Sequence, residues 1–304
     1  MKRKMFLFGL CLCIGFSAMA QADDDFSAAF ANKRGVYLLP QAGDFALGID
    51  ATPLLRYMGN FFSSSFNPAP LFNGVDGVNV QTIYGKYFLE DNRAIRARLS
   101  IGMSNYADKY AVPDDEAIAD AILAGETPGA DLYTKLTDIQ RGSYTGVELG
   151  VGYEFRRGNG RVQGFYGGEV FLGYEGGKTK YEYANGITED NKTPSRYNYS
   201  YTEIINGISC RVTEDKAGKT IYAGLGAFAG VEYFFAPQMS IGGEFGLGFR
   251  FTSNGQSTMT GEGWDSSIGS TGDLTTQSQK GTGWGYDMRL DTYPSGRITL
   301  MFHF

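Results

Sequence analysis

The last nine residues, GRITLMFHF from Gly296 to Phe304, alternate apolar and polar side chains right up to the terminal carboxylate. Chain ends are ordinarily frayed and polar. Here Ile298, Leu300, Phe302 and Phe304 share one face of an extended strand, and Arg297, Thr299, Met301 and His303 share the other. Whatever the chain folds into must give those two faces different surroundings.

The same division recurs upstream. In Gly146–Arg156, Val147, Leu149, Val151, Tyr153 and Phe155 oppose Glu148, Glu154 and three glycines. In Ser240–Phe251, Ile241, Phe245, Leu247, Phe249 and Phe251 oppose Glu244 and Arg250, and Ile95 to Met103 oppose Arg96 and Arg98. The stretch Ile221–Ala236 is the nearest to a membrane helix, but it carries Glu232, is rich in glycine and splits cleanly by period two. Strands are expected near 43–57, 78–89, 93–105, 141–156, 162–176, 219–235, 239–252 and 283–304. In 78–89 the parity is fixed only if Lys86 joins the charged face. Pro294 costs the last strand a ladder hydrogen bond, so a bulge or a shorter strand is expected there.

The joins EDN, RRGNG and APQ are short, whereas those around 58–77, 106–140, 177–218 and 253–282 run to tens of residues, against a usual median of about 4–6. Strict alternation of short and long joins is the pattern of an up-and-down antiparallel barrel with tight turns at one end. Eight strands are expected, or ten if part of 177–218 adds a membrane-crossing hairpin. Asp114 caps an expected short helix within 113–126. Composition agrees: 43 glycines, 20 tyrosines and 22 phenylalanines disfavour helices and suit a pleated surface.

The N-terminus reads as a signal peptide, 1–20, with three cations, an apolar stretch and the Ala18-Met19-Ala20 site, making Gln21 the mature start. A periplasmic segment, 21–42, then precedes the barrel, 43–304. Loss of Lys2, Arg3 and Lys4 takes the net charge from -6 to -9, which argues against nucleic acid as a partner. Cys210 alone remains of three cysteines and reads as a small buried apolar residue.

A soluble, lipocalin-like barrel turns its apolar face inward, and a membrane barrel turns it outward. Rings gather beside the short turns (Tyr153, Phe155, Tyr233, Phe235, Phe302, Phe304) and again beside the long joins (Tyr174, Phe249, Phe251, Trp284, Tyr286). Two aromatic girdles around an aliphatic, glycine-rich middle fit two membrane interfaces. The signal peptide, the alternation and the terminal Phe304 resemble the small bacterial outer-membrane β-barrels of the OmpX- and OmpA-like families. The stretches GDFALGIDATPLLRYMGN and YGKYFLEDNRAIRARL resemble a Bacteroidetes-type subgroup. That resemblance implies lipid and the barrel-assembly machinery as partners, periplasmic termini, and an assembly signal on Ile298, Leu300, Phe302 and Phe304.

Catalytic and cofactor chemistry find little support. The single histidine, His303, stands at the turn end, away from where barrel enzymes of the resembled kind keep their active sites. No His or Cys cluster invites a transition metal, and the acidic groups 23–25 and 114–116 read as solvated loops. No cofactor is expected. The inward charges carry the most information: Arg96, Arg98, Arg250, Arg289 and Arg297 against Asp50, Glu148, Glu154, Glu169, Glu232, Glu244, Asp287 and Asp291. They are expected to form an ion-paired network, while inward glycines such as 150, 152, 224, 226 and 230 pull towards an open groove. The leading functional expectation is a non-enzymatic barrel acting through its long surface loops, in interaction or envelope integrity. A small pore or importer of apolar solutes stands second, and a secreted soluble ligand-binding barrel third.

Overall fold

Phe45 donates its N–H to the carbonyl of Phe304 and accepts from Phe304 N–H in return, both at 2.8 Å, so the first strand closes on the last. The structure is a computed structural model describing residues 38–51, 73–75, 78–158, 160–198, 202–277, 284–289 and 297–304. The signal-peptide residues Ala18, Ala20 and Gln21 lie outside these. The strands are β1 (Phe45–Asp50), β2 (Asn73–Val75), β3 (Val78–Glu90), β4 (Arg93–Val112), β5 (Leu136–Arg157), β6 (Val162–Glu182), β7 (Thr202–Ile205), β8 (Ile208–Lys216), β9 (Thr220–Ala236), β10 (Met239–Asn254), β11 (Thr258–Asp265), β12 (Ser270–Gln277), β13 (Trp284–Arg289) and β14 (Arg297–His303).

Eight of them, β1, β3, β4, β5, β6, β9, β10 and β14, pair in that order and return to β1. The ring abolishes free edges, as a lipid environment requires of any spanning sheet. Its apolar faces point outward: Leu47 is 54% exposed, Leu149 50%, Leu172 58% and Leu225 59%. That removes the soluble, inward-apolar barrel from consideration. Lys86 is buried, and Ile83, Tyr87 and Leu89 are exposed, which settles the parity of β3.

The last expected strand is two pieces. Both β13 and β14 pair with β10, β13 along Gly248–Ser253 and β14 along Met239–Glu244. Pro294, where a bulge or a shorter strand is expected, lies outside the described residues. Leu38 and Leu39, expected before the barrel, are buried with Phe234 at its base.

The long joins are mostly strand. Beyond the lipid band β4, β5 and β6 continue, and at Lys178–Lys180 β6 exchanges β9 for β8. From there a sheet ordered β12-β11-β8-β6-β5-β4 stands above the barrel. Residues 202–216 belong to this extension, joined by a tight Asn206-Gly207 turn with φ of 52° and 84°, and they add no crossing to the ring. Helix α1 (Asp115–Leu123) sits at the β4–β5 tip, and the Asp114 carboxylate accepts from Ala117 N–H at 3.1 Å.

Inside, bulk on one strand faces glycine on the next. Across β6 and β9 the pairs are Phe165 with Gly230, Gly167 with Phe228, Phe171 with Gly224 and Gly173 with Tyr222, and each ring lies where a Cβ on its glycine would stand. Across β4 and β5, Arg96 and Arg98 pack 3.2 and 3.4 Å from where a Cβ on Gly152 and Gly150 would stand. The glycines expected to open a groove are therefore sockets for neighbouring side chains. Gly230→Val should cost about 1–3 kcal/mol, since its Cβ would meet both the Phe165 ring and the Gly243 carbonyl. Gly243→Val, on the same face of the sheet as lipid and with nothing within 4 Å of its Cβ position, should change little. Urea unfolding of the folded barrel compares the two.

Candidate functional site

Even-numbered residues of β3, β4, β5, β9 and β10 and odd-numbered residues of β6 and β14 face the lumen, so period-two geometry stacks their charges into one column. At the top, Tyr144 donates its hydroxyl to Glu175 at 3.1 Å, and the Arg250 guanidinium lies 4.4 Å from the Tyr222 ring centre. Below, Arg98 bridges Glu148 and Glu169, the latter at 2.8 Å. Arg96 meets Glu244 through two hydrogen bonds of 2.6 and 3.1 Å, the bidentate geometry that suits a planar guanidinium, and sits 3.8 Å from the Phe228 ring centre. Wider separations of 3.7 and 3.9 Å link Arg96 to Glu169 and Glu154.

The base is denser. Lys86 reaches Glu154 at 3.0 Å and Glu232 at 3.4 Å. Arg156 meets the same two carboxylates at 2.8 and 2.7 Å, and its Nε donates to Gln163 at 2.9 Å. The rings of Phe88 and Phe234 lie 5.4 and 5.6 Å from the Arg156 guanidinium. These groups are almost wholly buried: Glu154 is 0% exposed, Glu232 1%, Arg156 2% and Lys86 8%. Isolated charges at such depth are expensive, and here each cation meets at least two carboxylates.

Glu232 also accepts from Ser240, and the Ser240 hydroxyl lies 2.9 Å from His303 Nε2. Serine, histidine and carboxylate are thus together, but Glu232 approaches the same ring nitrogen at 3.4 Å. A nucleophilic relay needs the hydroxyl and the carboxylate on opposite ring nitrogens, and Ser240 is 0% exposed. The trio closes the floor of the barrel.

Of the residues singled out in the sequence, Arg96, Arg98, Glu148, Glu154, Glu169, Glu232 and Glu244 meet in this column, and Arg250 lies at its upper end, 3.9 Å from Glu175. Backbone register sets Asp287 opposite Arg250 and Arg289 opposite Gly248, and their side chains fall outside the described residues, as do those of Asp291 and Arg297. Ile298, Leu300, Phe302 and Phe304 occupy the outward face of β14, with Phe302 42% and Phe304 59% exposed. Sequence reasoning passed over Arg156, Gln163 and Glu175 and left Lys86 provisional. Parity carried two residues past Glu154 would have found Arg156, which the turn-like RRGNG concealed.

Above the mouth, residues 183–198 are fastened to the extension. Asp138 accepts from the N–H groups of Ala184 and Tyr197 at 2.9 and 3.1 Å, and Asp115 from Asn191 and Ser195 at 2.8 and 2.7 Å. Tyr197 stacks on Tyr110 with ring centres 4.0 Å apart. Tyr183 donates to Val212 O at 2.7 Å, and burial pushes its phenol up to about 12.

Residues 68–266 match a protein-family model described as "Putative OmpA-OmpF-like porin family". The chain belongs to this family. Membership in the OmpA-OmpF-like porins places it among outer-membrane β-barrels, in accord with the outward apolar faces. Among solved structures, the attachment invasion locus protein Ail of Yersinia pestis is similar at 8% identity, covering 86% of this chain and 99% of that one, with a TM-score of 0.31. A major outer membrane protein from Thermus thermophilus has 14% identity, coverage of 86% and 100%, and a TM-score of 0.35. OprG from Pseudomonas aeruginosa has 9%, 87% and 98%, and 0.27. No curated protein matches the chain.

Within this OmpA-OmpF-like barrel, Arg156→Met would leave Glu154 and Glu232 buried with Lys86 as their closest cation. A loss of roughly 3–5 kcal/mol is expected, as for a buried ion pair deprived of one partner, and denaturant titration of the folded protein measures it.

Proposed function

We propose that this porin-family barrel is a closed, non-enzymatic anchor that works through the sheet it holds above the outer leaflet, in surface interaction or envelope integrity. One observation carries the reading: the lumen is filled by buried, mutually paired ions while β4, β5 and β6 run on, 20, 22 and 21 residues long, into a fastened sheet beyond the bilayer. A membrane-crossing strand needs only about 9–11 residues, so half of each of these strands serves something outside the bilayer. An interior of eight strands is just wide enough for side chains to fill. Pure protein in planar bilayers should therefore show no steady conductance.

A small pore is the second reading, favoured by the upper lumen, where the Glu148, Arg250 and Glu175 side chains are 20, 22 and 32% exposed. Reproducible channel steps that vanish in Glu148→Gln or Glu244→Gln would replace the anchor with the pore.

Both termini are taken as periplasmic, on the side of the short turns, and the outward face of β14 as the signal read by the barrel-assembly machinery. Changing Phe302 and Phe304 together to Ala should reduce surface levels far more than it weakens the barrel once folded. Surface labelling together with refolding of the purified variant separates the two effects, and normal surface levels would defeat the assembly reading.

A further inference from the structure

Inside the barrel, rings laid over glycines carry cations. Of the four such rings across β6 and β9, Phe228 has Arg96 at 3.8 Å from its centre, Tyr222 has Arg250 at 4.4 Å and Phe165 has Lys86 at 4.8 Å. A ring lying along the sheet turns a face rather than an edge to whatever stands above it, and the face holds the negative part of the quadrupole. Three of these four faces meet a positive charge of the chain itself.

Above the mouth the arrangement recurs without a cation of the chain. Tyr106 on β4 lies where a Cβ on Gly142 of β5 would stand, and it is 46% exposed. No lysine or arginine among the described residues lies over its ring. The face of the sheet that continues the lumen wall takes twelve positions from Ser104–Tyr110, Asp138–Tyr144 and Gly177–Tyr183, and these hold five tyrosines, two aspartates and no lysine or arginine. Lys109, Arg141, Lys178 and Lys180 all fall on the opposite face.

Carboxylates flank the Tyr106 ring. Asp108, the next residue on the same face of β4, is exposed and meets no cation among the described residues. Asp215 of β8 closes the row that runs Tyr106, Gly142, Thr179, Asp215. Tyr181 stands one row higher on β6, and burial, followed by the charge of Asp215 and the nearby Tyr106 and Tyr110 hydroxyls, raises its phenol. Gln140 ties the rings together: it donates to the Tyr106 hydroxyl at 3.5 Å and accepts from the hydroxyl of Tyr197 at 2.6 Å. Ring faces beside carboxylates repel anions and suit a positive charge carried on carbon substituents, which covers a ring by contact.

We infer that this face binds a dissolved organic cation of the substituted-ammonium class, seated on the Tyr106 ring beside Tyr181, with Asp108 and Asp215 as its countercharge. The source is solution and not a neighbouring lipid, because the face continues the lumen wall and the lipid lies on the other side of the sheet.

The test uses the full folded barrel in nonionic detergent, titrated with choline and followed by ligand-observed NMR. The control ligand is the neutral isostere of choline, in which a tert-butyl group replaces trimethylammonium, and it should show no saturable binding. At about two- to fivefold per exposed ring, the double variant Tyr106→Leu, Tyr181→Leu should bind choline roughly tenfold more weakly. Tyr106→Phe keeps the ring and should stay within about twofold of wild type. Heat-modifiable migration reports folding, and if the double variant fails it, Asp108→Asn at its exposed position should still weaken choline about two- to fivefold. Equal binding of the neutral isostere, unchanged affinity in the folded double variant or in Asp108→Asn, or a loss in Tyr106→Phe as large as in Tyr106→Leu would each overturn the assignment. None of these outcomes bears on whether the lumen conducts.

Discussion

Hydrocarbon offers the backbone no hydrogen-bonding partner, and the paired Phe45 and Phe304 are this chain's answer to that constraint. Once the first strand must meet the last, the number of strands sets the diameter, and with eight the interior holds side chains and little else. Everything polar that the outward alternation excludes from lipid is pressed into that narrow column. The charges then have to find one another, and each of Lys86, Arg96, Arg98 and Arg156 meets at least two carboxylates.

The glycines complete this economy of space. Two bulky side chains facing each other across one ladder would overfill the barrel, whereas a ring or guanidinium set over a glycine lies flat along the wall. Phe165 over Gly230 and Arg98 over Gly150 are the same solution with different chemistry. The rings also stand beside the ions: Arg96 lies over Phe228, Lys86 over Phe165, and Arg156 between Phe88 and Phe234. The faces of these rings carry partial negative charge, so they pack the lumen without repelling the cations.

Period two alone made the outward and inward sets legible, and short turns against long joins made the up-and-down order legible. Register was not, because it depends on which residues oppose one another across strands far apart in sequence. Hence the charged residues could be assigned to the lumen but not to partners, and Gly224 or Gly230 could be taken for empty space when Phe171 and Phe165 fill it. Residues 106–112 and 136–140 pair throughout as β4 and β5 yet were expected to be loop. Above the bilayer neither face needs to be continuously apolar, so the alternation that marks a membrane strand fades while the hydrogen bonds go on. Asp114 was found because a helix cap is a local signal.

Strands β4, β5 and β6 run from the membrane ring into the sheet above it with no turn or break between the two parts. A domain on a linker samples many orientations, but a sheet that is the barrel's own wall inherits the barrel's tilt and azimuth. Its height above the lipid and the direction its faces look are fixed by the same hydrogen bonds that seal the membrane ring. A molecule seated on that sheet would be held at a set angle to the membrane, and any pull on it would be borne along three covalent strands by the barrel itself.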